Sequence, residues 1–230
     1  MRRRLLMKTV VCHMTDPRGF ATAVLLDFFN TLARPRSIEH WLSVAQSRVP
    51  YETPQRSDLT EKIDRVWRDA KELDPAANWD LRPELHRSTF ISTLQREGSI
   101  SLALAEALYD TMQDQWDLTS GAAEFIARAS SRGLLLAVVS NTALDIRPAL
   151  AKWGLGSAFG AIVLSHEVGF VKPDPQIFQI AADMLAVETE RCVMIGDSVQ
   201  DDSGGAVLGM QCVITTPQSM WRAFELVCPR

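Results

Sequence analysis

Two aspartates stand where short apolar runs end. Asp27 follows Ala23-Val24-Leu25-Leu26 and opens the stretch Asp27-Phe28-Phe29-Asn30-Thr31-Leu32, and Asp197 follows Cys192-Val193-Met194-Ile195 within Gly196-Asp197-Ser198. In an open parallel sheet the carboxyl ends of the strands line the ligand crevice, so carboxylates at those ends stand where an active site is built. A carboxylate so placed can attack an electrophilic centre, splitting one hard displacement into two easier ones through a covalent intermediate. By itself it can equally cap a turn. Lys172, in Gly169-Phe170-Val171-Lys172-Pro173-Asp174-Pro175, is held out of helical geometry by the proline after it, which lets its ammonium reach back toward Asp27 and Asp197. Carboxylates gathered without such a partner would be costly. Ser140 and Asn141 follow another apolar run and offer hydroxyl and amide donors to the same place, a role compatible with capping a helix. Backbone amides of Phe28 and Phe29 could complete an anion cradle.

The elements that must hold these residues are legible from periodicity. From about residue 118 onward, apolar runs at 134–139, 161–164, 192–195 and 212–215 alternate with helical patterns over 121–131, 147–153 and 175–185. That rhythm predicts an α/β fold, a parallel sheet flanked by helices, with 23–28 as the first strand. Residues 34–117 have another texture. Leu59, Ile63, Val66, Trp67 and Ala70 fit one amphipathic helical face, and Leu102, Leu104, Ala105, Leu108, Met112 and Trp116 fit a second, with breaks at Pro50, Pro54, Pro75 and Pro83. The expected organisation is a core from residues 1–33 and 118–230 and an inserted all-helical module of residues 34–117. Its aromatic stripes read as core rather than as a ligand cage.

With 230 residues, 47% hydrophobic and 23% charged, the chain can bury one large core or two modest ones. A net charge of -4 provides no footprint for nucleic acid, so the expected partner is a small molecule. The four cysteines lack metal-type spacing and read as reduced thiols of a cytoplasmic protein. The start, Arg2-Arg3-Arg4-Leu5-Leu6-Met7-Lys8, reads as a ragged extension, because Lys8 interrupts its apolar stretch. No apolar run approaches the ~20 residues that cross a bilayer. Monomer and homodimer are both compatible with the sequence.

Asp27 with Thr31-Leu32, Val139-Ser140-Asn141, Lys172-Pro173-Asp174-Pro175, and Gly196-Asp197-Ser198 with Asp201-Asp202 and Gly204-Gly205-Ala206 together resemble the motifs of the haloacid dehalogenase-like (HAD) hydrolase superfamily. The resemblance spans most of residues 22 to 215, and the helical insert after the first strand resembles that superfamily's mobile C1-type cap. It implies a Rossmann-like core with a helical cap, with Asp27 as nucleophile and Mg2+ held by Asp27, Asp197 and the backbone carbonyl of Phe29. It further implies that Asp202 or Asp201 orients metal-bound water or holds Lys172, Gly205-Ala206 making Asp202 the better match. Lys172, Ser140 and Asn141 would share the charge of the phosphoryl group.

Phe29 departs from the pattern. HAD phosphatases carry an aspartate two residues after the nucleophile, which protonates the leaving alkoxide and then activates water, assistance worth about 10²- to 10⁴-fold. Phenylalanine can do neither. Haloacid dehalogenases of the superfamily also lack that aspartate, commonly having an aromatic residue there, and dispense with the metal. Gly-Asp-Ser at Asp197 resembles the magnesium-dependent branch. The resemblance therefore implies a Mg2+-dependent phosphatase of a small phosphorylated metabolite, with a metal-independent 2-haloacid dehalogenase-type hydrolase or a noncatalytic ligand-binding protein as alternatives. Arg34 and Arg36, just beyond Asp27, could hold a substrate anion or remain solvated. His40 and Trp41 are candidate specificity residues; His86 and His166 have no evident partner.

Overall fold

Uninterrupted apolar runs suit strands covered on both faces. The computed structural model describes residues 10–12, 21–49, 56–96 and 100–229, so the basic start of the chain and the breaks expected at Pro50 and Pro54 lie outside the described residues. In chain order, β1 (Val10–Cys12) and β2 (Ala23–Leu26) are followed by a short β3 (Ala33–Pro35). Helices α1 (Ile38–Arg48), α2 (Arg56–Leu73), α3 (Pro83–Gln95) and α4 (Leu102–Asp110) come next, and β4 (Trp116–Leu118) brings the chain back. Then come α5 (Ala122–Ser131), β5 (Leu135–Ser140), α6 (Arg147–Lys152), β6 (Ala161–Leu164) and the short α7 (Ser165–Val168). The chain closes with α8 (Pro175–Leu185), β7 (Cys192–Gly196), the short α9 (Val199–Asp202), β8 (Gln211–Ile214) and α10 (Met220–Val227).

The main sheet runs β1-β8-β7-β2-β5-β6. Central β2 pairs in parallel with β5 and β7, Ala23 lying opposite Leu135 on one side and Cys192 on the other, so the three strands start level and β5 runs two residues past Leu26 to Ser140. Alternation along β2 divides its side chains between two layers. Val24 and Leu26 pack with Phe125, Ile126 and Phe224, while Ala23 and Leu25 pack with Ile177, Phe178 and Ala181. Each fully buried Leu or Phe contributes roughly 1.5–3 kcal/mol relative to exposure. Asp174 caps α8 by accepting from the Gln176 N–H, and Pro175 occupies the first turn, where its missing N–H costs nothing. Cys192, Cys212 and Cys228 are buried free thiols. No helix among the described residues is long and apolar enough to cross a membrane.

The sheet is parallel and flanked by helices, as expected, with one antiparallel addition at its edge, where β1 pairs with β8, Val10 opposite Ile214. An open edge presents a row of unpaired backbone groups, which a short β-branched segment such as Val10-Val11 satisfies. One expectation needs correction: residues 34–117 are not wholly helical, since β3 and β4 form an antiparallel ribbon pairing Ala33 with Leu118 and Pro35 with Trp116. Trp116, which periodicity places on a helical face, therefore lies in a strand, after a 3-10 turn at Met112–Gln115 ends the helical pattern.

Helices α1 to α4 bury a core of their own around Leu42, Ile63, Val66, Phe90, Leu104 and Leu108. His86 belongs to this layer, its ring centroid 4.3 Å from that of Trp67 and its Nδ1 2.8 Å from the Tyr109 hydroxyl. Burial holds its imidazole down at about 4, against 6.5 for a solvated histidine. A depressed histidine stabilises the fold fully above 6.5, and that contribution is lost as pH falls from 6.5 toward 4. The loss should reach about 3 kcal/mol. Urea unfolding at pH 7 and pH 4 should show this component in the wild type and lose it in His86→Gln.

Candidate active site

The Asp27 N–H continues the sheet by donating to the Ile195 carbonyl at 2.9 Å, which sets the Asp27 side chain at the β2–β7 seam. The chain then turns sharply: the Phe28 carbonyl accepts from Leu32 and Ala33 N–H at 2.9 and 2.8 Å, and Asn30 adopts φ 60. Asparagine enters that left-handed region more readily than most residues, and here its side chain hydrogen-bonds Asp197 across the strand ends. Thr31 Oγ1 donates to Asp27 Oδ2 at 3.3 Å.

Lys172 Nζ lies 2.6 Å from Asp27 Oδ1 and 2.6 Å from Asp202 Oδ1. All three groups are withdrawn from water, at 5, 4 and 0% exposure for Asp27, Lys172 and Asp202. Asn141 clamps the lysine by its backbone, donating from Nδ2 to the Lys172 carbonyl at 3.0 Å and accepting its N–H at 2.7 Å. The Asn141 amide is thus committed to positioning Lys172. Asp202 Oδ2 accepts the Ser198 N–H at 2.9 Å, while Asp201 turns to the Ser198 hydroxyl at 2.7 Å. Of the two adjacent aspartates, it is Asp202 that reaches the lysine. Gly196 permits this approach, because a Cβ there would overlap the Asp202 carboxylate. The Ser140 hydroxyl, at the end of β5, is buried with no hydrogen-bond partner among the described residues.

Oxygens of Asp27, Asp197 and Asp202 lie within 4.8 Å of one another. One ammonium therefore faces three carboxylates. Burial lifts Asp27 to about 7 against the opposing pull of Lys172, with Asp202 and Asp197 adding to the rise. Burial and then Asp202 lift Asp197 to about 6, while Asn30 hydrogen-bonds its carboxylate. Burial disfavours the Lys172 charge, but Asp27 and Asp202 outweigh it and raise its pKa, so the ammonium stays charged. The surplus negative charge and all-oxygen donor set fit a hard divalent cation.

Phe29 packs edge-on to Phe28 with centroids 5.0 Å apart and against Trp116 at 4.7 Å, so its ring ties the turn after β2 to the ribbon. Arg36 is committed to Asp117, with Nε and NH2 at 3.0 and 2.7 Å from Oδ1, and its NH1 lies 3.1 Å from His40 Nε2. Trp41 Nε1 donates to the Leu108 carbonyl at 3.0 Å. His166 Nδ1 lies 2.8 Å from the Thr142 carbonyl. Arg34 is exposed on β3.

A cleft of about 340 Å³ opens beside Lys172 and Asn141. It is lined on the other side by Lys71 and by residues 76–80, from the link between α2 and α3. None of Arg34, Arg36, His40 or Trp41 lines it. Sequence reasoning missed Trp79 and Asp80; the available signal was a tryptophan and an acid in the short non-helical gap between Pro75 and Pro83.

A sheet with β2 at its centre carries buried acidic and lysine side chains at its carboxyl edge, where an open α/β fold places its ligand crevice. Over residues 21–209 the chain matches the haloacid dehalogenase-like hydrolases, and it belongs to that family. The phosphoserine phosphatase of Thermus thermophilus is 39% identical over 106 residues, which are 46% of this chain and 42% of that protein. The chain spans about half the length of the curated relatives it matches. Among solved structures, a putative HAD-hydrolase of Bacillus subtilis bound to magnesium superposes with TM-score 0.63 at 20% identity, covering 84% of this chain and 87% of that one. The L-2-haloacid dehalogenase of Xanthobacter autotrophicus gives TM-score 0.62 at 21% identity, covering 84% and 76%. At these identities the two likenesses are of fold.

Proposed function

We propose that this hydrolase is a Mg2+-dependent phosphatase that cleaves a small phosphomonoester through an aspartyl phosphate on Asp27. The observation that carries the reading is the contact of Lys172 Nζ with Asp27 and Asp202, beside Asp197, at the carboxyl edge of β2 and β7. The similarity to a phosphoserine phosphatase supports the same class of reaction.

Asp27 attacks phosphorus in line, its carboxylate oxygen forming the new P–O bond as the alcohol oxygen departs. Lys172, held by Asn141 through its backbone, orients that carboxylate and offsets charge on the phosphoryl oxygens. Ser140, whose hydroxyl has no partner among the described residues, supplies a further donor to those oxygens. Asp27, Asp197 and the Phe29 carbonyl would hold Mg2+, with Asp202 supporting them through water or through Lys172. When bound, the ion neutralises the acidic cluster and polarises a phosphoryl oxygen. Water then cleaves the aspartyl phosphate, releasing phosphate and restoring Asp27. Residues 34–117 act as a cap over a core of residues 1–33 and 118–230, closing to exclude water.

Phe29 favours a second reading, displacement of halide from a 2-haloacid, because halide leaves without a proton. One assay separates the two: release of phosphate and halide from panels of phosphomonoesters and 2-haloacids, with Mg2+ or with EDTA. Phosphate released only with Mg2+ is the expected result. Halide released in EDTA would establish the dehalogenase instead.

A further inference from the structure

We propose that Asp80, on the turn roofing the cleft, donates the proton to the leaving oxygen and then takes a proton from the hydrolytic water, work that Phe29 cannot do. The inference rests on the phosphatase reading above. In-line attack puts the leaving oxygen on the side of phosphorus away from Asp27. Asp27 does not itself line the cleft, but Lys172, whose Nζ lies 2.6 Å from Asp27 Oδ1, does, so the leaving group of a phosphoryl group held by Asp27 and Lys172 extends into the cleft that Lys172 and Asn141 share with Asp80. The Asp80 carboxylate makes no hydrogen bond among the described residues, and so is free to engage a ligand.

Its backbone, in contrast, is held from both sides. The Asp80 carbonyl accepts from Ser165 Oγ at 2.8 Å, which ties the turn to α7 at the core's edge. Trp79 stacks on Trp67 with centroids 5.5 Å apart, which ties it to α2. Asp201, Lys71 and Lys172 are the charged groups that act on Asp80. On α7, Glu167 is paired with Arg147, and His166 bonds the Thr142 carbonyl. Burial first, and Asp201 second, push the Asp80 carboxyl up to about 6. A carboxyl lifted toward neutrality in this way is suited to both giving and taking a proton.

The protons balance over the cycle. In the first step the Asp27–phosphorus bond forms, the bond from phosphorus to the ester oxygen breaks, and that oxygen takes the Asp80 proton to leave as an alcohol. In the second, water attacks phosphorus, Asp80 takes its proton, and the bond from phosphorus to Asp27 breaks. Asp80 ends protonated and Asp27 ionised, as at the start.

The test compares wild type, Asp80→Asn, Asp80→Glu and Asp27→Asn, with Mg2+, on a simple alkyl phosphate and on p-nitrophenyl phosphate. Asp80→Asn should lower kcat on the alkyl ester by ~10²-fold or more with KM little changed, yet barely slow the aryl ester, whose leaving group needs no proton. The wild-type decline in kcat/KM on the alkyl ester above about pH 6 should vanish in Asp80→Asn, and Asp80→Glu should recover part of the rate. Equal losses on both esters, or an unaltered pH profile, would overturn the role of Asp80 alone. A wild type inactive on both esters, or an active Asp27→Asn, would overturn the phosphatase reading and this inference with it.

Discussion

Asp27→Asn should cut phosphate release by about 10⁴-fold or more while leaving the protein at least as stable as the wild type. An amide oxygen carries too little charge to form the bond to phosphorus, so the covalent route closes. The stability half of this expectation follows from the crowding around it. Asp27, Asp197 and Asp202 share one ammonium, and burial with its neighbours already lifts Asp27 to about 7. A neutral side chain of the same shape relieves that repulsion, and Lys172 keeps its 2.6 Å contact with Asp202. A purely structural ion-pair partner would behave in the opposite way, its loss costing several kcal/mol of stability. Phosphate release and urea unfolding on one preparation read both quantities. A near wild-type rate in the variant would remove Asp27 as nucleophile.

Lys172→Met should be the most damaging single change for the fold as well as the reaction. It leaves Asp27 and Asp202 buried and facing each other without a counter-charge, a loss of about 3–5 kcal/mol by analogy with other broken buried pairs. Asp202→Asn in the Lys172→Met background removes one stranded charge and should recover part of that stability, but none of the activity. The penalty should also depend on pH. Asp27 sits near 7, and removing the ammonium pushes its titration higher still, so acid supplies the neutralisation that the lysine once did. The gap in unfolding free energy between wild type and Lys172→Met should therefore be smaller at pH 5 than at pH 8. A variant equal to wild type at both would mean that these carboxylates do not carry their charge in the folded protein.

Much of the architecture is written locally, because strand and helix periods are properties of neighbouring residues. The runs 23–26, 192–195 and 161–164 are strands, and Pro175 opens a helix ending at Leu185. Local pattern failed where a long-range partner decides. Residues 10–12 become a strand only because the open edge of β8 accepts them, and Trp116 leaves its helical period because β3 offers a pairing partner.

The same division runs through the site. The sequence alone established which residue types end the strands, that Lys172 precedes a proline, and that phenylalanine follows Asp27 by two positions. Only the tertiary structure decided what each side chain spends itself on. Asn141 serves the Lys172 backbone, Asp202 rather than Asp201 meets the ammonium, and Arg36 is bound to Asp117 across the ribbon. It also brought Asp80, from the link between α2 and α3, into the lining of the cleft beside Lys172 and Asn141. Composition and spacing act over a few residues, whereas these pairings join segments tens of residues apart, and only the packing of helices on sheet sets the distance between them.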